Sequence, residues 1–323
     1  MKAIVQDRFG SFDALELRDV ARPVAGDGEV LVRVHAAGVD QGVWHLMAGL
    51  PYPVRLAGFG LRRPKFPVRG RDIAGVVEEV GRNVTRFAPG DEVFGTSDGS
   101  YAEYAAVRED RLAPKPPSLT LEQAAAVPAS ACTALKAVRD AGRVRPGQRV
   151  LITGAGGGVG TYTVQIAKAF GGEVTGVCST GKADLVRSLG AEDVIDYTRE
   201  DFATRARGFD VAIDIAGIRS LRVMRAALAP RGTLVLAGGE GSGRLLGGTH
   251  RQLVALVLNP FVGHTLRPLL SAEPLEDLLA LTDLIESGAV RPVIDRAYPL
   301  DQAPEALRHL REGRARGKFV ITV

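Results

Sequence analysis

The chain has 323 residues, enough for two domains of about 100 to 200 residues each. Its 41 Lys and Arg against 37 Asp and Glu leave a net charge of only +4, too mild to argue for nucleic acid, and no nucleic-acid motif is present. Two cysteines, Cys132 and Cys178, exclude both a disulfide framework and a paired-cysteine zinc site. The start, MKAIVQDRFGSF, has no apolar leader, and no run approaches the roughly 18 to 20 apolar residues of a membrane span, so a cytoplasmic protein is expected.

Up to about residue 120 the chain is dense in short β-type runs, Val30 to His35, Ile73 to Val80 and Tyr101 to Val107, separated by Gly, Pro and Asp turns. Pro114, Pro116 and Pro117 then lead into a helical stretch, Leu121 to Val127. From Val150 strands alternate with helices: Val174 to Cys178, Asp193 to Tyr197, Asp210 to Ile215 and Thr233 to Ala237, with helices near 182–189, 199–207 and 218–228. Continuous apolar strands alternating with helices indicate a parallel sheet covered on both faces, an α/β doubly wound domain. A Gly-rich loop follows from Gly238, then an apolar, basic segment ending near Leu270, a helix from Glu276 to Glu286 and a last strand from Lys318 to Val323. The expected division is 1–120 with 265–323 in one domain and 121–264 in another, with the cleft between them as the default substrate site.

The chemistry concentrates in Leu151 to Thr180. Gly154, Gly157 and Gly160 follow the apolar run Val150-Leu151-Ile152 and open directly onto a helix. Glycine lets the backbone turn tightly against a pyrophosphate, and the N–H groups of the helix start stabilise the anion, here those of Gly156, Gly157, Gly158 and Val159. The strand-turn-helix-strand context marks a dinucleotide site. An NAD site usually ends its second strand in Asp or Glu for the ribose 2′-hydroxyl. This strand ends in Ser179 and Thr180 with Lys182 beyond, which suits a 2′-phosphate and hence NADP(H); the two hydroxyl residues also suit a helix cap.

Taken together, AAGVD (Ala36 to Asp40), the run Arg69 to Gly81, FAPGDEVFG (Phe87 to Gly95), AEYA (Ala102 to Ala105), Gln123 to Leu135, the glycine turn, LGAEDVIDY (Leu189 to Tyr197) and RGKFVITV (Arg316 to Val323) resemble the zinc-independent medium-chain dehydrogenase/reductases of the quinone oxidoreductase type over nearly the whole chain. The resemblance implies a GroES-like β-rich domain with an inserted Rossmann domain, NADPH as hydride donor, quinones or α,β-unsaturated carbonyl compounds as acceptors, and a homodimer. It further implies that Lys182 and Tyr197 hold the 2′-phosphate, that Thr133 approaches the nicotinamide, that Gly238-Gly239 pass over it, and that Lys318 or a nearby Arg reaches the phosphate from the C-terminal strand. Pairing across a twofold axis is expected at the strand near Thr233 to Ala237.

Zinc-containing relatives carry Cys near Asp40 and Gly-His-Glu around Arg69 to Asp72; this chain has Asp40 and Arg69-Gly70-Arg71, and no cysteine before Cys132. No metal is therefore expected, and acceptors already activated by conjugation are favoured. Asp40, His45 and Tyr52 are the candidate catalytic residues, His45 and Tyr52 as proton donors, each with a plain structural alternative as helix or packing residue. Six basic residues, Arg55, Arg62, Arg63, Lys65, Arg69 and Arg71, stand in a stretch without an acid between Asp40 and Asp72. They read as a solvated loop or as a substrate lip. With the apolar Leu253 to Leu258 they also raise a peripheral contact with an anionic membrane. An enoyl-thioester reductase and a low-turnover NADPH-binding sensor stay open beside the quinone or enone reductase.

Overall fold

The hydrophobic runs pair into two sheets and a small hairpin in the computed structural model, which describes residues 1–53, 55–239, 247, 249–270 and 272–323. In chain order the first elements are β1 (Lys2–Val5), β2 (Glu16–Asp19), β3 (Glu29–Val39), α1 (Gln41–Ala48), β4 (Asp72–Val80), β5 (Glu92–Thr96), β6 (Tyr104–Arg108), β7 (Leu112–Pro114), α2 (Leu121–Ala125) and α3 (Pro128–Leu135). Next come β8 (Arg149–Thr153), α4 (Gly158–Ala169), β9 (Glu173–Cys178), α5 (Ala183–Ser188), β10 (Asp193–Asp196), α6 (Phe202–Arg205), β11 (Phe209–Asp214), α7 (Leu221–Ala226), β12 (Leu228–Leu236), α8 (Thr249–Leu258) and β13 (Thr265–Pro268). The chain ends with α9 (Leu275–Glu286), β14 (Ile294–Pro299), α10 (Ala303–Arg311) and β15 (Lys318–Thr322).

One unit comprises residues 1–132, 272–288 and 292–323. Its sheet runs β14-β15-β3-β4-β5-β7, with β6 also on β3. The long β3 pairs antiparallel with β4 from Val30 against Val80 to Ala37 against Ile73, and β15 pairs antiparallel with the far end of β3. Alternation of buried residues along β3, with Val30, Val32 and Val34 inside and Arg33 outside, builds a core with Ile73, Val77, Val93 and Leu112. A second cluster of Met47, Tyr101, Leu307, Phe319 and Ile321 packs α1 and α10 onto the same unit.

The other unit, 133–271 with 289–291, holds a six-stranded sheet in the order β10-β9-β8-β11-β12-β13, parallel at every pairing. Strand order reverses between β8 and β11, and the loops after these strands lie at the sheet's switch point. Leu151, Val177, Ile195, Phe209, Ala212 and Leu234 bury one face among helices.

Three expectations are corrected. Residues 265–268 belong to the nucleotide sheet, because β13 pairs with β12 from Thr233 against Thr265 to Leu236 against Pro268. The Thr233 to Ala237 segment is therefore internal for most of its length, and β13 is the edge that it was expected to be. Residues 121–132 side with the GroES-like unit: the Ala129 amide donates to Asp72 Oδ1 at 2.9 Å and α2 packs on β3 and β4.

Candidate active site

The glycine turn after β8 is built by close approach. Gly154 has φ +70, and a Cβ on Gly160 would lie 2.1 Å from the Gly154 carbonyl oxygen and 2.7 Å from the backbone of Ala155. No side chain fits there, so the first turn of α4 is drawn tight against the end of β8. Gly157 takes the N-cap position with extended φ and no side-chain cap, which leaves the first α4 amides, those of Gly158 and Val159 among them, for an anion. Beneath the turn Thr153 Oγ1 donates to Asp214 Oδ1 at 2.6 Å and accepts from the Ala216 amide. Arg251 Nη2 donates to the other Asp214 oxygen at 2.6 Å, so this buried carboxylate ties β8, β11 and α8 together.

The loops after β11 and β12 also meet through glycine. A Cβ on Gly217, with φ +64, would sit 2.9 Å from the Gly238 carbonyl carbon, and one on Gly238 would sit 1.8 Å from Ile215 oxygen. Gly238 and Gly239 are half-buried at this junction; the Gly-rich loop beyond them, 240–246, lies outside the described residues.

At the end of β9, Ser179 precedes a short 3-10 turn, Thr180–Lys182, and neither hydroxyl caps it. Lys182 is half-buried and its stem crosses the glycine turn: a Cβ on Gly156 would lie 2.7 Å from Lys182 Cβ. That places the lysine beside the phosphate cradle. An acid at this corner, Asp196 at the end of β10, is engaged with hydroxyls: Thr180 Oγ1 donates to Oδ2, and Thr198 donates to Oδ1 from its hydroxyl at 2.6 Å and from its amide at 3.0 Å. The Thr180 and Thr198 hydroxyls hold its carboxyl below the usual range. Tyr197, next in sequence, is exposed. Arg219, in the loop after β11, stands 5.9 Å from the Tyr197 ring centre and 4.1 Å from that of Phe202. Nothing in the Ile218-Arg219-Ser220 stretch marks Arg219 in the sequence; only the approach of the loop after β11 to Phe202 of α6 brings it beside Tyr197. Thr133, on α3, is half-buried.

In the GroES-like unit the predicted residues part company. Asp40 Oδ1 accepts from the Val43 amide at 3.1 Å as the N-cap of α1, so this carboxylate serves the helix, and its Oδ2 is buried without a hydrogen bond. His45 places Nδ1 2.8 Å from Leu50 oxygen and meets the Trp44 ring edge-on at 4.9 Å. Tyr52 is 40% exposed, with the Arg55 guanidinium 5.1 Å from its ring centre, and its hydroxyl is the least committed of the three candidates. The Arg311 guanidinium stacks over the Trp44 ring, 3.8 Å from its centre.

Lys318 departs from expectation. Its ammonium is buried and donates to Asp72 Oδ2 at 3.2 Å and Ser130 Oγ at 3.1 Å. Asp72 is fully buried, and burial pushes its carboxyl up to about 6 against the pull of Lys318. Lys318 thus compensates a buried acid within its own unit, and the assignment of this ammonium to a phosphate is withdrawn. The basic stretch is also not a uniform solvated loop: Arg55 Nε donates to Gly49 oxygen at 2.9 Å, Arg71 pairs with Glu273 at 2.7 Å, and Arg69 is buried.

A family model described as alcohol dehydrogenase GroES-like domain matches residues 26–117, and one described as zinc-binding dehydrogenase matches 189–321. The chain is 34% identical to the mitochondrial NAD(P)H oxidoreductase RTN4IP1 of Mus musculus over 100% of its own length and 89% of that protein's. It is 31% identical to the quinone oxidoreductase of Homo sapiens over 99% of its length and 97% of that protein's. A solved mycobacterial structure, Rv1454c complexed with NADPH, superposes with a TM-score of 0.84 at 28% identity, covering 100% of both chains. The chain belongs to the quinone oxidoreductase-like family of medium-chain dehydrogenase/reductases.

Proposed function

We propose that this chain is a metal-independent, NADPH-dependent reductase of quinones or α,β-unsaturated carbonyl compounds. The observation that carries the cofactor choice is the corner where Lys182 crosses Gly156 while Asp196, the neighbouring acid, is spent on Thr180 and Thr198. A 2′-phosphate brought there meets the Lys182 ammonium, while the ionised Asp196 carboxylate is turned onto the Thr180 and Thr198 hydroxyls; Ser179 and Tyr197 flank the same corner, with Arg219 beside Tyr197. The NADPH complex of a similar protein and the NAD(P)H oxidoreductase relative support the same cofactor. Once bound, NADPH supplies a hydride.

The donor set argues against zinc. Where zinc-containing relatives have soft or imidazole ligands, this chain places a helix-capping Asp40, two guanidinium groups and an Asp72 paired to Lys318. Among the described residues no three His, Cys, Asp or Glu side chains cluster as a metal would need. Without a Lewis acid, the oxygen that gains charge in the acceptor depends on protein donors and a proton source, which suits conjugated acceptors over plain ketones. Tyr52, with its uncommitted hydroxyl, is the better proton source; His45 is engaged with Leu50 oxygen and orients α1.

The experiment is NADPH oxidation against a panel of quinones, enones and enoyl thioesters. Turnover of quinones or enones above thioesters supports the reading; thioester preference favours an enoyl-thioester reductase, and tight NADPH binding without turnover on any acceptor favours a sensor. A homodimer paired along the β13 edge belongs to the same reading, and light scattering of the eluted protein reads it.

A further inference from the structure

Arg69, Arg71, Arg111 and one acid, Asp98, line one cavity of about 130 Å³ in the GroES-like unit, together with the apolar side chains of Leu46, Phe66 and Val68. Their charges are not equally answered. Arg71 pairs with Glu273 at 2.7 Å, and Arg111 pairs with Asp98 at 2.8 Å. Arg69 is 6% exposed, its Nε has no hydrogen-bond partner, and no carboxylate among the described residues pairs with it. Burial alone pulls its guanidinium down to about 10, a value at which it still carries its charge at neutral pH.

The backbone holds Arg69 there. Its amide donates to Ile4 oxygen at 3.0 Å, and its carbonyl accepts from the Tyr101 amide at 2.8 Å. Gly70 follows with φ +99, where a Cβ would lie 2.3 Å from Ser100 Oγ. The glycine fits only because it has no side chain, and it seats its two arginine neighbours in the wall of a single cavity. A buried guanidinium without a partner is costly and is ordinarily met by an anion with planar, bidentate geometry.

We propose that this cavity receives a carboxylate carried on an apolar body, held by Arg69, so that the acceptors reduced best are acidic enones or quinones. The inference rests on the reductase reading for the acceptor and on the cavity alone for the anion. Arg71 and Arg111, each with its acid, complete the polar lining, and Phe66, Val68 and Leu46 take the apolar part of the ligand.

The test compares an aryl enone with its carboxylate-bearing analogue as acceptors for NADPH oxidation, and titrates benzoate into the full-length protein as a non-reducible probe. The acid is expected to show a kcat/KM about tenfold or more above the neutral enone, mainly through KM, as for one charge-assisted bond in a desolvated site. R69M removes that ratio and weakens benzoate at least about tenfold, whereas R69K keeps part of both. The melting temperature of R69M stays level or rises, since a buried unpaired charge is removed. Equal kcat/KM for the two enones in the parent protein, or a ratio that survives R69M, overturns the inference. Should neither enone be reduced, the reductase reading fails by itself, and benzoate binding decides the anion site: no binding, or binding indifferent to R69M, overturns it.

Discussion

The turn after β8 and the stretch between β3 and β4 both leave a buried strand to build a binding surface, and they do it by opposite means. The first removes side chains: Gly154 to Gly160 let backbone meet backbone at distances that no Cβ allows, and the ligand-facing groups are amides. The second accumulates charged side chains, Arg55, Arg69 and Arg71, and each finds a different fate, a carbonyl, no partner and a carboxylate. Backbone recognition tolerates almost no substitution, whereas side-chain recognition is adjusted one residue at a time.

The largest effect expected on that contrast is at Gly160. G160V drives a side chain into Gly154 oxygen and Ala155, and should cost about 4 kcal/mol or more with loss of NADPH binding. Urea midpoints and a fluorescence titration read both, and retained affinity would mean the turn is looser than its contacts imply. Next is D72A, which strands the Lys318 ammonium and should cost about 3 to 5 kcal/mol, most of it recovered in the D72A/K318M pair. A K318M loss confined to NADPH affinity, with stability intact, would return Lys318 to the phosphate.

The same pair has a pH signature. The folded state holds the Asp72 proton up to about 6, above its ordinary 3.8, so this contribution to stability is full below about 4 and is lost as pH rises through 6. D72N should flatten that part of the stability profile. On the cofactor side, K182E should weaken NADPH about a hundredfold more than NADH, by inverting a charge beside the phosphate, and R219A should act in the same sense but less, about fivefold. Equal losses for the two cofactors would undo the corner assignment. The last changes fall on rate and stability at the proton source, with the cofactor site untouched. Y52F should lower kcat about tenfold with NADPH affinity unchanged, while H45F leaves kcat within about twofold and costs about 1 kcal/mol of stability, as steady-state rates and urea midpoints would read.

Much of the nucleotide unit was legible because its signals are local. A strand, a glycine turn and a helix lie within twenty residues, and the period of apolar residues changes where the structure changes. Strand β13 was missed: Thr265–Pro268 is short and sits after a long apolar helix, so no alternation marks it, and pairing with β12 alone makes it a strand. The Asp196 hydroxyl clamp escapes the sequence for a similar reason, since Thr180 and Asp196 meet only because β9 and β10 pair, and Arg219 does so because the loop after β11 meets α6 and Tyr197 only in the folded unit.

Lys318 shows the limit most plainly. In the sequence it is a lysine in a C-terminal strand to which only the family resemblance lends a phosphate, and its distance of 246 positions from Asp72 conceals the partner. The sequence by itself determined the glycine turn, the absence of an acid at the end of β9 and the parallel alternation, because backbone sterics and local periodicity act within a few residues. Only the tertiary structure decided which charges are answered. Burial and pairing depend on which distant strands are neighbours, and this left Lys318 on Asp72, Arg71 on Glu273 and Arg69 without a carboxylate.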